Sequence, residues 1–137
     1  MIEYFPPQAL DAARVLVLEA AHLEDPPFYR LLKGAGFPDL PAISNVAAIT
    51  FGDVVVSHET FTDGLLFHEL VHVEQYRQLG IQKFAKLYFH GFLAEGGYDG
   101  IPLELNVYDL GRRFELGPRH RFNVAEEVAN WIREGKF

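Results

Sequence analysis

His68 and His72 flank a short segment with the spacing His-Glu-x-x-His. Residues four apart in an α-helix lie on the same face, one turn from each other, so two imidazoles at this spacing can reach the same ion. Zinc binds imidazole nitrogen at about 2.0–2.1 Å. If this segment is helical, the spacing therefore predicts that His68 and His72 bind one zinc ion.

Glu69 follows the first histidine, and on a helix it points slightly aside, towards a metal-bound water rather than the metal. Zinc lowers the pKa of bound water to about 7, so that a carboxylate can take its proton. The hydroxide then attacks a carbonyl, and the protonated carboxyl passes the proton to the leaving amine. The predicted chemistry is peptide-bond hydrolysis, with Glu69 as general base. The competing interpretation is two histidines with ordinary hydrogen bonds.

A third protein ligand is needed if one coordination position is to stay open for water. Gln75 and Gln78 stand where one extended form of the motif has Gly and His, so the ligand must come from another element. Glu104 is the preferred residue; alternatively it is an ordinary glutamate favoured by the dipole at a helix start. The substitutes are Asp99, Glu95 and Asp109, followed by His90 and His120.

Two segments resemble the gluzincin branch of the zincin metallopeptidases, and above all its small, poorly characterised bacterial zincin-like domains. Residues 68–75 are similar to an HELxHVxQ pattern, and residues 97–104 match Gly-Tyr-x-Gly-x-Pro-x-Glu. The resemblance covers residues 49–114. It implies zinc as the cofactor, and the following roles: His68, His72 and Glu104 as ligands, and Glu69 as general base.

The chain departs from the gluzincin pattern around this set. Gluzincins often carry an Asp four residues after the third ligand, which orients a zinc-bound histidine. Tyr108 stands at that position, and Asp109 lies one step further round the helix. Gluzincins also tend to supply a Tyr or His that stabilises the oxyanion. Tyr98 is preferred over Tyr76 for this role, because its glycine-flanked loop can approach the metal; packing of Tyr98 on the core is the alternative.

The elements predicted to position these residues are mainly helical. Thr62 or Asp63 can cap the helix that carries the histidines, and Gly80 lies where a left-handed helix end is expected. A hairpin is predicted from residues 46–50 and 54–57. The fold class is therefore α+β, a mainly helical zincin-like single domain with a small β-hairpin or sheet flanking the HExxH helix. The other predicted helices are residues 9–23, 28–33, 81–94, 103–114 and 123–133.

The 137 residues are expected to form one domain, residues 1–137. Within it we expect an N-terminal helical part (1–45), a metal-site core (46–117) and a C-terminal helix (123–134). The chain has no cysteine, which excludes disulfides and cysteine zinc ligands. Its net charge of −7, with scattered basic residues, disfavours nucleic-acid binding.

A signal peptide and a membrane span are both disfavoured, since the start is not basic and no apolar run approaches the roughly 20 residues that cross a bilayer. A cytoplasmic protein is therefore expected, without a membrane partner. The predicted function is that of a zinc-dependent metallopeptidase acting on a peptide or protein substrate. The small size and the lack of a second subdomain motivate an alternative, a zinc-stabilised, non-catalytic interaction module of zincin-like fold. A metal-dependent hydrolase of a non-peptide substrate is the third interpretation, and no oligomeric state is predicted.

Overall fold

Helices form most of the computed structural model, which describes residues 1–18, 47–95 and 100–137. Five α-helices and a three-stranded sheet within these ranges confirm the mainly helical α+β fold class. No helix in the described ranges is long and apolar enough to cross a membrane. In chain order the elements are α1 (Pro7–Ala12), β1 (Arg14–Val17), β2 (Ala48–Phe51), β3 (Val54–Ser57), α2 (Asp63–Leu79), α3 (Ile81–Glu95), α4 (Pro102–Glu115), a 3-10 helix (Pro118–His120) and α5 (Val124–Arg133).

The small sheet has the strand order β1-β3-β2. β2 and β3 pair antiparallel, with Ile49 opposite Val56, and form the predicted hairpin. Gly52 in the connecting turn has a φ of 64°, a conformation that glycine adopts without steric cost. β2 also packs against α2, so the hairpin flanks the HExxH helix as expected.

The N-terminal segment differs from the predicted helix over residues 9–23. α1 ends at Ala12, and Arg14–Val17 form β1, which pairs parallel with β3. β-branched valines favour extended structure, and pairing with β3 satisfies the backbone groups that a helix would have satisfied locally. The prediction of a continuous helix over residues 9–23 is therefore wrong at β1. The remainder of that predicted helix and the helix predicted over residues 28–33 lie outside the described residues.

α2 carries the HExxH segment and packs against β2, α3, α4 and α5. The Thr62 side chain accepts a hydrogen bond from the backbone N–H of Leu65 at 3.1 Å, and Gly80, with a φ of 81°, ends the helix. Both predicted ends are confirmed. Neighbours on several sides bury the middle of α2, polar side chains included, and those side chains therefore need partners inside the protein. The buried residues of α2 are Phe67, Glu69, Leu70, Val71, His72, Val73, Glu74 and Gln75.

The main apolar core holds α2, α4 and α5 together. Phe67 of α2 stacks on Phe114 of α4, with ring centroids 4.3 Å apart. Val124 and Val128 of α5 are fully buried in the same cluster. α5 begins at the predicted cap Asn123, whose side chain accepts hydrogen bonds from the first turn. This packing sets α2 beside α4 and so brings the HExxH segment next to the start of α4.

Candidate metal centre

The three predicted ligands converge between α2 and α4. Nε2 of His72 lies 3.2 Å from Oε1 of Glu104, and Nε2 of His68 lies 3.4 Å from Oε2 of the same carboxylate. The two imidazole rings are one helical turn apart, with centroids separated by 5.0 Å. The fold thus brings together side chains from two helices that are distant in sequence.

The spacing and type of these donor atoms fit a metal ion. Ligand atoms at about 2.1 Å from a tetrahedral zinc ion lie about 3.4 Å from one another. The donor atoms of His68, His72 and Glu104 all lie within 4.8 Å of one another. Oε2 of Glu104 is buried and makes no hydrogen bond to any described residue, although such atoms are normally satisfied. A metal ion held by the three side chains would satisfy this oxygen.

Burial and charge oppose each other at this cluster. Glu104 is 1% exposed and His72 is 6% exposed, whereas the side chain of His68 is 24% exposed. Burial disfavours both charged forms, but the mutual attraction of imidazolium and carboxylate prevails. Against the effect of burial, the adjoining Glu104 carboxylate raises the pKa of His72 to about 9. Against the same effect, His72 and His68 hold the pKa of Glu104 far below its usual range.

Binding of a metal ion such as zinc is expected to displace a proton from His72, because Nε2 must be unprotonated to bind metal. Since the pKa of His72 is raised to about 9, a metal ion would compete with this proton throughout the neutral range. The apparent affinity should therefore rise with pH, by up to about tenfold per pH unit below that pKa. Calorimetric titrations in buffers of different protonation enthalpy measure the released proton. A zinc affinity and a heat that do not depend on pH or buffer would contradict the pairing of His72 with Glu104.

Gln75 contacts the His72 ring at Nδ1, the nitrogen that does not face Glu104. Its Oε1 lies 2.9 Å from Nδ1 of His72, and its Nε2 donates to the Leu103 carbonyl oxygen at 3.0 Å and to Oδ1 of Asn106 at 2.9 Å. Gln75 and Asn106 are both fully buried. The family pattern indicated a partner for a zinc-bound histidine at residues 108–109, and Gln75 was not predicted for that role. Its membership of the HELxHVxQ segment was the available indication.

The residues that follow Glu104 on α4 make other contacts. The ring of Tyr108 lies edge-on to His68, with centroids 5.6 Å apart. Asp109 pairs with Arg112 at 3.4 Å, at the protein surface. Neither residue occupies the place behind His72 that Gln75 takes.

Glu69 is buried between α2 and β2. Oγ1 of Thr50 donates a hydrogen bond of 2.6 Å to Oε2 of Glu69, and it lies 3.3 Å from the backbone oxygen of the same residue. Against burial, the Glu69 carboxylate contributes, after Glu104, to the raised pKa of His72. Thr50 was not among the site residues predicted from the sequence. Its position in a strand predicted to flank the helix was the only indication.

Of the two tyrosines predicted to stabilise an oxyanion, Tyr98 lies outside the described residues. Tyr76 faces the sheet, where its hydroxyl donates to the Thr50 carbonyl oxygen at 3.4 Å and its ring stacks on Phe84. Burial, together with the nearby Glu69 carboxylate, raises the pKa of Tyr76 well above its usual range. Tyr76 is therefore a neutral hydrogen-bond donor at neutral pH.

The hydroxyl of Tyr88, on α3, donates a hydrogen bond of 2.8 Å to Oε1 of Glu104. Gly91, one turn further along α3, allows this approach, since a Cβ there would lie 2.8 Å from Cδ of Pro102 and 3.4 Å from Cα of Ile101. Tyr88 was not predicted to belong to the site, because its contact depends on how α3 packs on the start of α4.

The substitute ligands do not join the three residues in the described part of the chain. Asp109 is engaged with Arg112, and His90 and His120 are exposed. Asp99 and the side chain of Glu95 lie outside what the structure describes. Among the described residues, the one group of three able to hold a metal ion is His68, His72 and Glu104.

Comparison of the chain with protein-family models, with curated proteins and with solved structures gave no match. The likeness to zincins therefore rests on the two sequence segments and on the convergence of His68, His72 and Glu104. What this site can do follows from its own residues.

Proposed function

We propose that this protein is a zinc-dependent peptidase. One observation carries the proposal: Nε2 of His68 and Nε2 of His72 lie 3.4 and 3.2 Å from the Glu104 carboxylate oxygens, close enough for one ion to bind all three side chains. Glu69 is buried on the same helix as the two histidines. Two imidazoles and one carboxylate are a ligand set that peptidases use for catalytic zinc. Three ligands leave one coordination position for water or substrate, whereas structural zinc sites usually close all four.

A zinc ion in this site would act as a Lewis acid that polarises a carbonyl group and makes water a stronger nucleophile. One carboxylate and two neutral imidazoles leave the loaded site with a net positive charge, which favours this chemistry. His68 is the most exposed of the three ligands. Among the described residues, a substrate would therefore approach from the side of His68.

The proton transfers fall to Glu69. Its carboxylate would accept a proton from the attacking water and return it to the leaving amine, the general acid–base role that hydrolysis of an amide requires. The hydrogen bond from Thr50 holds one carboxylate oxygen against β2, which limits the rotamers that the side chain can adopt. Correct orientation of a catalytic group is itself a large part of its effect on rate.

A zinc-stabilised module without hydrolytic activity is the second candidate. Its support is that the three side chains cross-link α2 and α4, two helices of the same core. Metal bound only by the folded state stabilises that state, whether or not any reaction takes place.

Chelation of the metal separates the two candidates. We expect removal of zinc to abolish cleavage of a peptide library and to lower the melting temperature, and added zinc to restore both. A ligand present at 100 times its Kd stabilises the folded state by about 2.7 kcal/mol, which corresponds to several degrees in melting temperature. Cleavage is read by mass spectrometry and melting by calorimetry, on protein without a His tag.

Each alternative gives a different result. A fall in melting temperature, without any cleavage by the zinc-loaded protein, would favour the non-catalytic module. Cleavage of ester or other non-peptide substrates alone would favour a hydrolase of another class. Zinc-free protein that binds no added zinc and melts unchanged would remove all three metal-based candidates.

A further inference from the structure

We propose that Gln75 is the positioning residue that directs Nε2 of His72 to the metal, and that Asn106 and the Leu103 carbonyl fix the direction of the Gln75 amide. This inference rests on the metal site proposed above. It concerns residues outside the ligand set, one of them on the same helix as the histidines and two at the start of α4.

The direction of the Gln75 amide follows from what surrounds it. Its nitrogen lies within hydrogen-bond distance of two oxygens, the Leu103 carbonyl and Oδ1 of Asn106. An amide nitrogen has two hydrogens to donate and no lone pair to offer, so both contacts are satisfied in this orientation alone. The reversed amide would set its oxygen against the Leu103 carbonyl oxygen. Oε1 of Gln75 must therefore face His72.

Oε1 of Gln75 determines which nitrogen of the His72 ring carries the hydrogen. Oε1 can only accept, so Nδ1 of His72, 2.9 Å away, must carry the N–H. A neutral imidazole has one N–H, and a proton on Nδ1 leaves the lone pair on Nε2. Nε2 is the atom that lies 3.2 Å from the Glu104 carboxylate, on the side of the other ligands. The amide thus selects the tautomer that can bind metal at the site.

The surroundings of Gln75 and Asn106 keep both side-chain amides in the orientation described above. Gln75 and Asn106 are 0% exposed, so solvent cannot offer either amide an alternative partner. Nδ2 of Asn106 is buried and makes no hydrogen bond to a described residue. Turning the Asn106 amide would place its NH2 group against the NH2 group of Gln75. The hydrogen bond between Gln75 and Asn106 is therefore kept although Nδ2 of Asn106 has no partner among the described residues. An orientation kept at the expense of a buried donor is consistent with a positioning role.

The first test uses three variants and zinc affinity measured against a competing chelator. Gln75→Met keeps the side-chain length but removes the amide acceptor, and we expect about 10- to 100-fold weaker zinc binding, as for loss of other outer partners of zinc-bound histidines. Gln75→Glu is expected to recover part of the lost affinity, because its carboxylate accepts the same N–H while Asn106 turns to donate Nδ2. The recovery stays incomplete, because the second carboxylate oxygen faces the Leu103 carbonyl oxygen. Gln78→Met is the matched control, since Gln78 bonds to Glu74 and Ala125 instead of a ligand.

A spectroscopic readout separates positioning from general stability. In zinc-loaded protein labelled with ¹⁵N-histidine, the Nδ1–H of His72 should give a slowly exchanging proton signal, with Nε2 bound to the metal. The signal should persist in Gln75→Glu and Gln78→Met and be lost in Gln75→Met. If zinc is bound to Nδ1 of His72 in the wild-type protein, the inference is overturned without any variant, even if Gln75→Met does not fold.

The outcomes also separate this inference from the proposed function. Wild-type zinc affinity and an unchanged N–H signal in folded Gln75→Met would overturn the role of Gln75 and leave the metal site intact. Failure of Gln75→Glu to recover affinity would equally count against an acceptor role. A wild-type protein that binds no zinc would overturn both.

Discussion

Glu69→Gln is expected to retain zinc and to lose about 10²- to 10⁴-fold in peptide hydrolysis, the range that a positioned general acid–base residue contributes. Glutamine has the same shape as glutamate, and its oxygen can still accept the hydrogen bond from Thr50. It cannot accept a proton from water at neutral pH. The ligands His68, His72 and Glu104 are untouched, so the change should affect the rate of cleavage and leave metal binding in place.

Glu74→Gln provides the matched control. Glu74 lies on the same helix and is buried to a similar degree, but its carboxylate bonds to Arg77 and Gln78, outside the ligand cluster. The same chemical change there is expected to leave kcat within a few-fold of the wild type. Both variants are compared by kcat/KM on one cleaved peptide and by zinc content. An active Glu69→Gln protein, or equal losses in both variants, would remove Glu69 from the mechanism.

The helix α2 could be predicted from the sequence because the residues that define its two ends lie within or next to it. Thr62 and Gly80 supply chemistry for its two ends within the segment itself, and both ends are where they were expected. β1 could not be predicted in the same way. Its residues follow an alanine-rich stretch that favours a helix, and what makes them a strand is parallel pairing with β3, far along the chain. The valines of β1 favour extended structure, but one sequence does not identify the distant strand with which they pair.

The same distinction applies to the site. The two histidines of α2 follow from helical spacing alone, and Glu104 from its place in the second segment that resembles zincins. The contacts of Thr50 and Tyr88 depend on how β2 and α3 pack against α2 and α4. Gln75 belongs to the first segment that resembles zincins but was assigned no role, because two of its partners, Leu103 and Asn106, lie in another helix. Which residues orient the predicted ligands and Glu69 depends on tertiary packing, and this part of the site could not be predicted from the sequence.

Glu104→Gln is expected to lower zinc affinity by more than about 100-fold, since a ligand contributes more than the outer partners whose loss costs 10- to 100-fold. The amide keeps the size of the side chain, and Tyr88 can still donate to its oxygen. It removes the negative charge that balances the metal and that raises, against burial, the pKa of His72. Elemental mass spectrometry of purified protein should show near-stoichiometric zinc in the wild type and little in the variant.

Asp109→Asn is the control, because Asp109 lies on the same helix and was itself a substitute for the third ligand. Its carboxylate pairs with Arg112 at the surface, so the variant is expected to keep the zinc content of the wild type. Zinc lost from Asp109→Asn and retained by Glu104→Gln would reverse the two assignments. Zinc retained by both would mean that the two histidines bind metal with a ligand other than either carboxylate. Because neither variant alters Glu69, the result identifies the third ligand independently of whether the protein cleaves peptides.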